Sequence, residues 1–186
     1  YELDSGAAKN AAIVAAGATV AECITWNTIT SEMKSGEKSA ELASWDIPEE
    51  AKREIVAAIE GGVNYFDTAP VYLQGQSEKA TGIALKRHPR ESYFIATKLS
   101  NFSNHSRENS MEMYRKSFEN LQTDYIDYYL LHSISGYEAF KQRYVDNGMI
   151  DFLMEERKAG RIRNLGFSFH GAPKGWDELM ATHEQY

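Results

Sequence analysis

The sequence predicts an α/β chain of the (β/α)8 TIM-barrel type, incomplete and holding about the first five βα units. Three observations lead there. From residue 46 onward β-rich runs alternate with helical stretches, the pattern of a parallel sheet with crossover helices. Four of those runs end in Asp67, Lys98, His132 and Ser168, so successive ends are 31, 34 and 36 residues apart. One strand, one helix and their loops need about 30 residues or more. Finally, no Gly-x-Gly-x-x-Gly follows a strand and no GxxxxGK[ST] occurs, so a doubly wound nucleotide-binding sheet lacks its fingerprint.

The elements are predicted in order. Residues 1–45 are rich in Ala, Ser, Thr, Glu and Lys, with SEMKSGEKS (31–39) as a loop or linker, and read as an N-terminal segment apart from a partial barrel domain over 46–186. Asp46 can cap a helix with Pro48, Glu49 and Glu50 in its first turn, and Gly61-Gly62 stops it. VNYFDT (63–68) is a first β-rich run. Ser77 can cap the helix SEKATGIALKRH (77–88), which ends before Pro89. YFIATK (93–98) is a strand, and Ser106 opens a helix to about Leu121. YIDYYLLH (125–132) is a strand. Residues 137–159 are helical with a break at Asn147-Gly148 and a stop at Gly160. IRNLGFS (162–168) is the fourth strand, and a helix follows from Trp176.

Composition narrows the function. The 186 residues carry a formal net charge of −7 without a basic stripe, which argues against nucleic acid as the main partner. One cysteine, Cys23, excludes an internal disulfide framework, and five scattered histidines form neither HxH nor HExxH, so no metal site is expected. No apolar run is long enough for a membrane helix. AAIVAAGATVA (11–21) reads either as an Ala-rich helix in a cytoplasmic protein or as the core of an export signal with Thr19-Val20-Ala21 as a small-residue cleavage site.

In a (β/α) barrel the C-terminal strand ends form one rim, and catalytic groups gather there. Here the rim would receive Asp67, Lys98, His132 and Ser168, with Tyr72 following in the loop TAPVY. Because side chains alternate along a strand, the same inward face would hold Val63 and Tyr65, Phe94 and Ala96, Tyr128 and Leu130, and Asn164 and Gly166. Taken singly, each polar group has a plain structural explanation: a turn-forming Asp, a surface lysine, an ordinary tyrosine, a core histidine. Their joint position on four strand ends favours catalysis.

The segments GGVNYFDTAPVY (61–72), QSEKATGIALKR (76–87), FIATKL (94–99), LQTDYIDYYLLH (121–132) and AGRIRNLGFS (159–168) together resemble the aldo-keto reductase family. The likeness covers roughly residues 48–170 and is strongest to the bacterial branch carrying NYFDT, TDYIDYYLLH and IRNLGFSFHG. It implies NADPH-dependent reduction of a small-molecule aldehyde or ketone by an Asp-Tyr-Lys-His tetrad, here Asp67, Tyr72, Lys98 and His132. The chemistry is coherent. An alkoxide formed by hydride addition needs a proton, tyrosine is a poor acid near neutrality, and an adjacent ammonium favours its phenolate. Asp67 would hold Lys98, and His132 would orient the carbonyl oxygen.

The resemblance also implies nicotinamide contacts at Ser168 and Asp67. The family's Ser-Asn pair is here Ser168-Phe169, with His170 next as a substitute donor. No counterpart of the family's first strand is recognisable, nor are its later strands or adenosine-phosphate site. An incomplete barrel with open edges is expected to be weakly stable or to self-associate. Three alternatives stay open: a non-catalytic nicotinamide-binding or interaction module, an inactive fragment, and a Schiff-base lyase using Lys98, which the neighbouring Asp67 disfavours.

Overall fold

The computed structural model describes residues 24–25 and 57–182 of the chain. The rest of the N-terminal segment, with Cys23 and the candidate export core, the Asp46-capped start of the first helix, and His183 lie outside them. The elements are β1 (Ile24–Thr25), β2 (Tyr65–Asp67), α1 (Ser77–Leu85), β3 (Phe94–Leu99), α2 (Arg107–Leu121), β4 (Ile126–Ile134), α3 (Tyr137–Phe140), α4 (Met149–Lys158), β5 (Ile162–Phe169) and α5 (Pro173–Met180). All five strands are parallel and neighbour one another in sequence order. A doubly wound sheet reverses its strand order at a switch point; this sheet does not, and is an arc of barrel wall.

The first strand is a correction. The sequence showed no counterpart of it, yet Ile24–Thr25 pairs with Phe66 and Asp67. Two residues are too few for a period-two pattern to be read.

The remaining elements follow local chemistry. Ser106 caps α2 as predicted, its Oγ accepting from the Asn109 N–H at 3.2 Å. Gly62 (φ +94°) and Gly160 (φ +80°) end their helices in the left-handed conformation that glycine adopts without strain. The long helix predicted over 137–159 does break at Asn147-Gly148, but it also contains a π-helical turn, Lys141–Val145. Such turns widen a helix and recur near functional sites. The last helix starts at Pro173 rather than Trp176, because proline's fixed φ suits the first helical turn.

Ser77 does not cap α1. Its hydroxyl bonds the buried Thr68 hydroxyl at 2.7 Å, while its carbonyl accepts from Thr81 Oγ1. The demand of one buried hydroxyl for a partner outweighed capping.

The two sheet faces divide the apolar side chains. Toward the helices, Phe66, Ile95, Leu99, Tyr129 and Leu131 pack on Ala80, Ala84, Leu85, Tyr114, Met149 and Leu153. Toward the barrel axis lie Tyr65, Phe94, Ala96 and Tyr128. Register confirms the inward set: Asp67 sits beside Ala96, Ala96 beside Tyr128 and Tyr128 beside Asn164, while Lys98 sits beside Leu130 and Leu130 beside Gly166. Val63 is the exception. It precedes the strand and joins the helix-side core, because residues 63–64 are not extended in the ladder.

At the opposite end from Lys98 and His132, Asp127 accepts from Arg90 Nη2, from the Ile95 N–H at 2.9 Å and from Arg163 Nη1 at 2.9 Å. Both guanidinium carbons stand 3.9 Å from the centre of the Tyr125 ring. This clamp ties the starts of β3, β4 and β5 together.

Gly82 marks the closest helix contact. A Cβ there would lie 2.3 Å from the Asn120 carbonyl oxygen and 2.7 Å from the Leu121 carbonyl carbon. Both are backbone atoms, so relief requires α1 and α2 to separate. Gly82→Ala should therefore lose about 1–3 kcal/mol of stability despite its better helix propensity, read as a lower midpoint in thermal melting. An unchanged midpoint would show that the helices are not in contact there.

Candidate active site

Four strands and one loop deliver the sequence-predicted groups to one rim. Asp67 ends β2 and Lys98 lies one residue before the end of β3; both are buried. Lys98 Nζ donates to Asp67 Oδ1 and, at 2.8 Å, to the Thr68 carbonyl. An ammonium at 2% exposure needs such partners. Removing one half of a buried ion pair leaves an uncompensated charge and costs about 3–5 kcal/mol.

Tyr72 is positioned by the loop between β2 and α1. The Thr68 N–H donates to the Ala96 carbonyl, and the Tyr72 N–H donates to the Ala69 carbonyl at 3.1 Å. The Thr68–Ser77 hydroxyl pair closes the loop onto α1. As a result Lys98 Nζ stands 4.8 Å from the centre of the Tyr72 ring. The His132 ring meets the Tyr72 ring edge-on, centroids 5.8 Å apart at 82°.

His132 is buried near the end of β4, immediately before an irregularity. Register shifts between Leu131 and Ile134, and Ser133 adopts φ +55°. Bulges of this kind re-aim side chains beside functional sites. The imidazole is held on two further sides. Ser100 Oγ lies 2.6 Å from Nδ1, and the Phe102 ring is tilted against it with centroids 5.0 Å apart.

Ser168 is on the same rim but engaged differently: its Oγ accepts from the Ser133 N–H at 2.8 Å, tying β5 to the bulge. Phe169, the residue that follows it, turns to the helix side and meets the Trp176 ring edge-on at 5.3 Å. His170 is exposed; its backbone N–H donates to the Ile134 carbonyl. The rim therefore gathers Asp67, Tyr72, Lys98 and His132 with Ser168 at its β5 end, while His170 is held by its backbone outside the buried cluster.

Sequence reasoning missed Ser100, Phe102 and Arg143. The signal for Ser100 was available, since it lies two residues beyond Lys98 and continues the inward parity. Arg143 could not have been found, because the π-helical turn delivers it. It is buried and donates to Asn101 Oδ1, the Ser133 carbonyl and the Tyr144 hydroxyl. Burial pushes the Tyr144 phenol up to about 12, with the Arg143 charge and hydrogen bonds opposing. That phenol stays protonated, donates to the Leu99 carbonyl, and serves as a strut.

With this geometry in hand, comparison with known proteins is decisive. The sequence model of the Aldo/keto reductase family matches residues 35–184. The chain belongs to the aldo/keto reductase family. It is 34% identical over 137 residues to an aldo-keto reductase of Mycobacterium avium, covering 72% of this chain and 43% of that protein. It is 35% identical over 121 residues to a glyoxal reductase of Bacillus subtilis, covering 64% and 40%.

Among solved structures, this family member is similar to the holo form of an aldo-keto reductase from Bacillus halodurans. That match has a TM-score of 0.54 and 31% identity, covering 69% of this chain and 44% of that one. An aldo-keto reductase from Klebsiella pneumoniae solved with NADPH shares the fold, with a TM-score of 0.59 at 23% identity over 79% and 46% of the two chains. The chain thus spans 35% to 50% of the length of the curated relatives it matches. Among its described residues no helix is long and apolar enough to cross a membrane.

Behind the site, Glu78 of α1 is buried against β3 and accepts from Thr97 Oγ1 at 2.6 Å and Asn120 Nδ2 at 3.3 Å. Burial pushes its carboxyl up, against the pull of Thr97, Ser117, Asn120 and the Lys98 charge. A carboxyl whose folded value exceeds its unfolded one contributes stability that is complete below the unfolded range and lost as pH rises through the folded value. Glu78→Gln stays neutral throughout. It should melt close to wild type near pH 4 and above it near pH 7, since rising pH penalises only the protein whose buried group can ionise. A gap that narrows toward neutral pH would contradict this.

Proposed function

We propose that this chain carries the catalytic groups of a carbonyl reductase that converts a small aldehyde or ketone to an alcohol, with Tyr72 as the proton donor and NADPH as the cofactor. The observation that carries the reading is the position of the Lys98 ammonium between the Asp67 carboxylate and the Tyr72 ring, with the His132 ring packed at right angles to that same ring.

A carbonyl taking up hydride becomes an alkoxide, and this donor set suits that change. The cofactor, when bound, supplies the hydride. Tyr72 gives its proton to the alkoxide oxygen. The Lys98 charge stabilises the phenolate left behind, in a water-poor setting where a fixed charge counts for more than in bulk solvent. Asp67 and the Thr68 carbonyl fix Lys98, so no reorganisation is needed at the moment of transfer. His132 donates a hydrogen bond to the carbonyl oxygen and orients it for proton transfer.

On the cofactor side the residues fit in part. Ser168 lies at the rim with a hydroxyl able to donate to a carboxamide oxygen while accepting from Ser133, and Asp67 and His170 are the further candidates for nicotinamide contacts. Phe169 provides no amide, so Ser168 bears more of the carboxamide contact than in the family pattern. That departure also favours a second reading, a module that binds nicotinamide cofactor without turnover.

One experiment separates the two. NADPH binding is titrated by cofactor fluorescence, and aldehyde reduction is followed by NADPH absorbance, for wild type and Tyr72→Phe. The expected result is tight binding by both, with kcat of the variant lower by about 100-fold or more. Binding without turnover in the wild type would establish the module instead, and equal turnover by both proteins would remove Tyr72 from the mechanism.

A further inference from the structure

We propose that Ser100 is a positioning residue that sets the tautomer of His132, donating its hydroxyl proton to Nδ1 and so keeping the ring proton on Nε2. The proposal deepens the reading of His132 as the donor to the substrate carbonyl and rests on that reading for its catalytic consequence, although not for the tautomer itself.

Three features of the structure lead to it. The first is geometry. Ser100 Oγ and His132 Nδ1 are 2.6 Å apart, and both residues are buried, at 3% and 8% exposure. A neutral imidazole has one N–H and one lone pair, so the hydrogen bond at one nitrogen decides the state of the other.

The second is the inventory around the hydroxyl. Among the described residues Nδ1 is the only hydrogen-bond partner of Ser100 Oγ. If Nδ1 carried the proton, the hydroxyl would accept it and its own O–H would be buried without an acceptor. If the hydroxyl donates, its proton is satisfied and only lone-pair capacity goes unused. An unsatisfied buried donor is the costlier alternative. The balance therefore selects Ser100 as donor and Nε2–H as the tautomer.

The third is rigidity. The Ser100–Phe102 loop cannot easily withdraw. Asn101 Nδ2 donates to Ser110 Oγ and to the Arg143 carbonyl, both at 3.0 Å, while Arg143 Nε donates back to Asn101 Oδ1. The Arg143 guanidinium lies 4.8 Å from the centre of the Phe102 ring, and that ring is tilted against the His132 imidazole. The preceding residue is fixed too, with the Leu99 carbonyl accepting from Tyr144. Ser100 thus approaches His132 from a pinned backbone.

The consequence is directional. With the proton on Nε2 the ring presents a donor to a carbonyl oxygen. With the proton on Nδ1 it would present a lone pair to that oxygen and repel it.

The tautomer can be read without cofactor or substrate, so failure of turnover in the assay above leaves this test intact. The full chain is labelled with 15N-histidine, and long-range 1H–15N correlations are recorded at about pH 8, above the ordinary imidazole range. His132 is assigned by the signal missing from His132→Gln. The expected wild-type pattern is an imine-type Nδ1 with a pyrrole-type Nε2. Ser100→Ala should lose that preference, both tautomers becoming populated, and Ser100→Thr, which keeps the hydroxyl, should restore it. A purely structural role for Ser100 would leave the pattern unchanged in a folded Ser100→Ala protein, and that result overturns the proposal. A wild-type ring that is Nδ1-protonated, or doubly protonated, at that pH overturns it without any variant.

Discussion

The buried pair between Lys98 and Asp67 is the constraint on which the rest of the site depends. Neither group could sit at so low an exposure alone, because desolvating an isolated charge is too costly. Their union fixes the ends of two adjacent strands and aims the ammonium at one neighbour, Tyr72. The third polar partner, the Thr68 carbonyl, belongs to the loop that carries Tyr72. Charge neutralisation, strand register and loop placement are thus satisfied by one cluster.

Around that pair the site is built in two shells of different origin. Asp67, Lys98 and His132 come from strand ends, where period-two alternation decides direction. The groups that hold them come from irregular backbone: the turn after β2, the bulge at Ser133 and the π-helical turn at Lys141–Val145. Strand ends supply Asp67, Lys98 and His132, while departures from regular structure supply Tyr72 and the restraints on all four. Ser133 shows the economy of this arrangement, since its N–H donates to Ser168 and its carbonyl accepts from Arg143.

This division explains what the sequence could disclose. Asp67, Lys98, His132 and Ser168 were legible because each closes a β-rich run, and their inward mates from Tyr65 to Gly166 were legible by parity alone. Val63 was not, since alternation was extended past the point where the strand begins. Ser77 carried a capping signature that misled, because its hydroxyl is taken by the buried Thr68 hydroxyl. The first strand was too short to show a period. Arg143 lies in a stretch whose sequence reads as ordinary helix, and only the wider turn brings its guanidinium to the loop after β3. Phe169 was visible as a departure, but its turn toward Trp176 depends on a packing partner in the following helix.

The clamp at the far end of the sheet has a consequence of its own. Two guanidinium groups share one aromatic ring in Tyr125, an arrangement that like charges would ordinarily forbid, and Asp127 makes it tolerable by bonding both. The four side chains therefore form a unit in which each is acceptable only while the others remain. Substitution histories through this corner should be correlated rather than independent. The opposite rim is left free to diverge, because the stagger of its strands is fixed elsewhere.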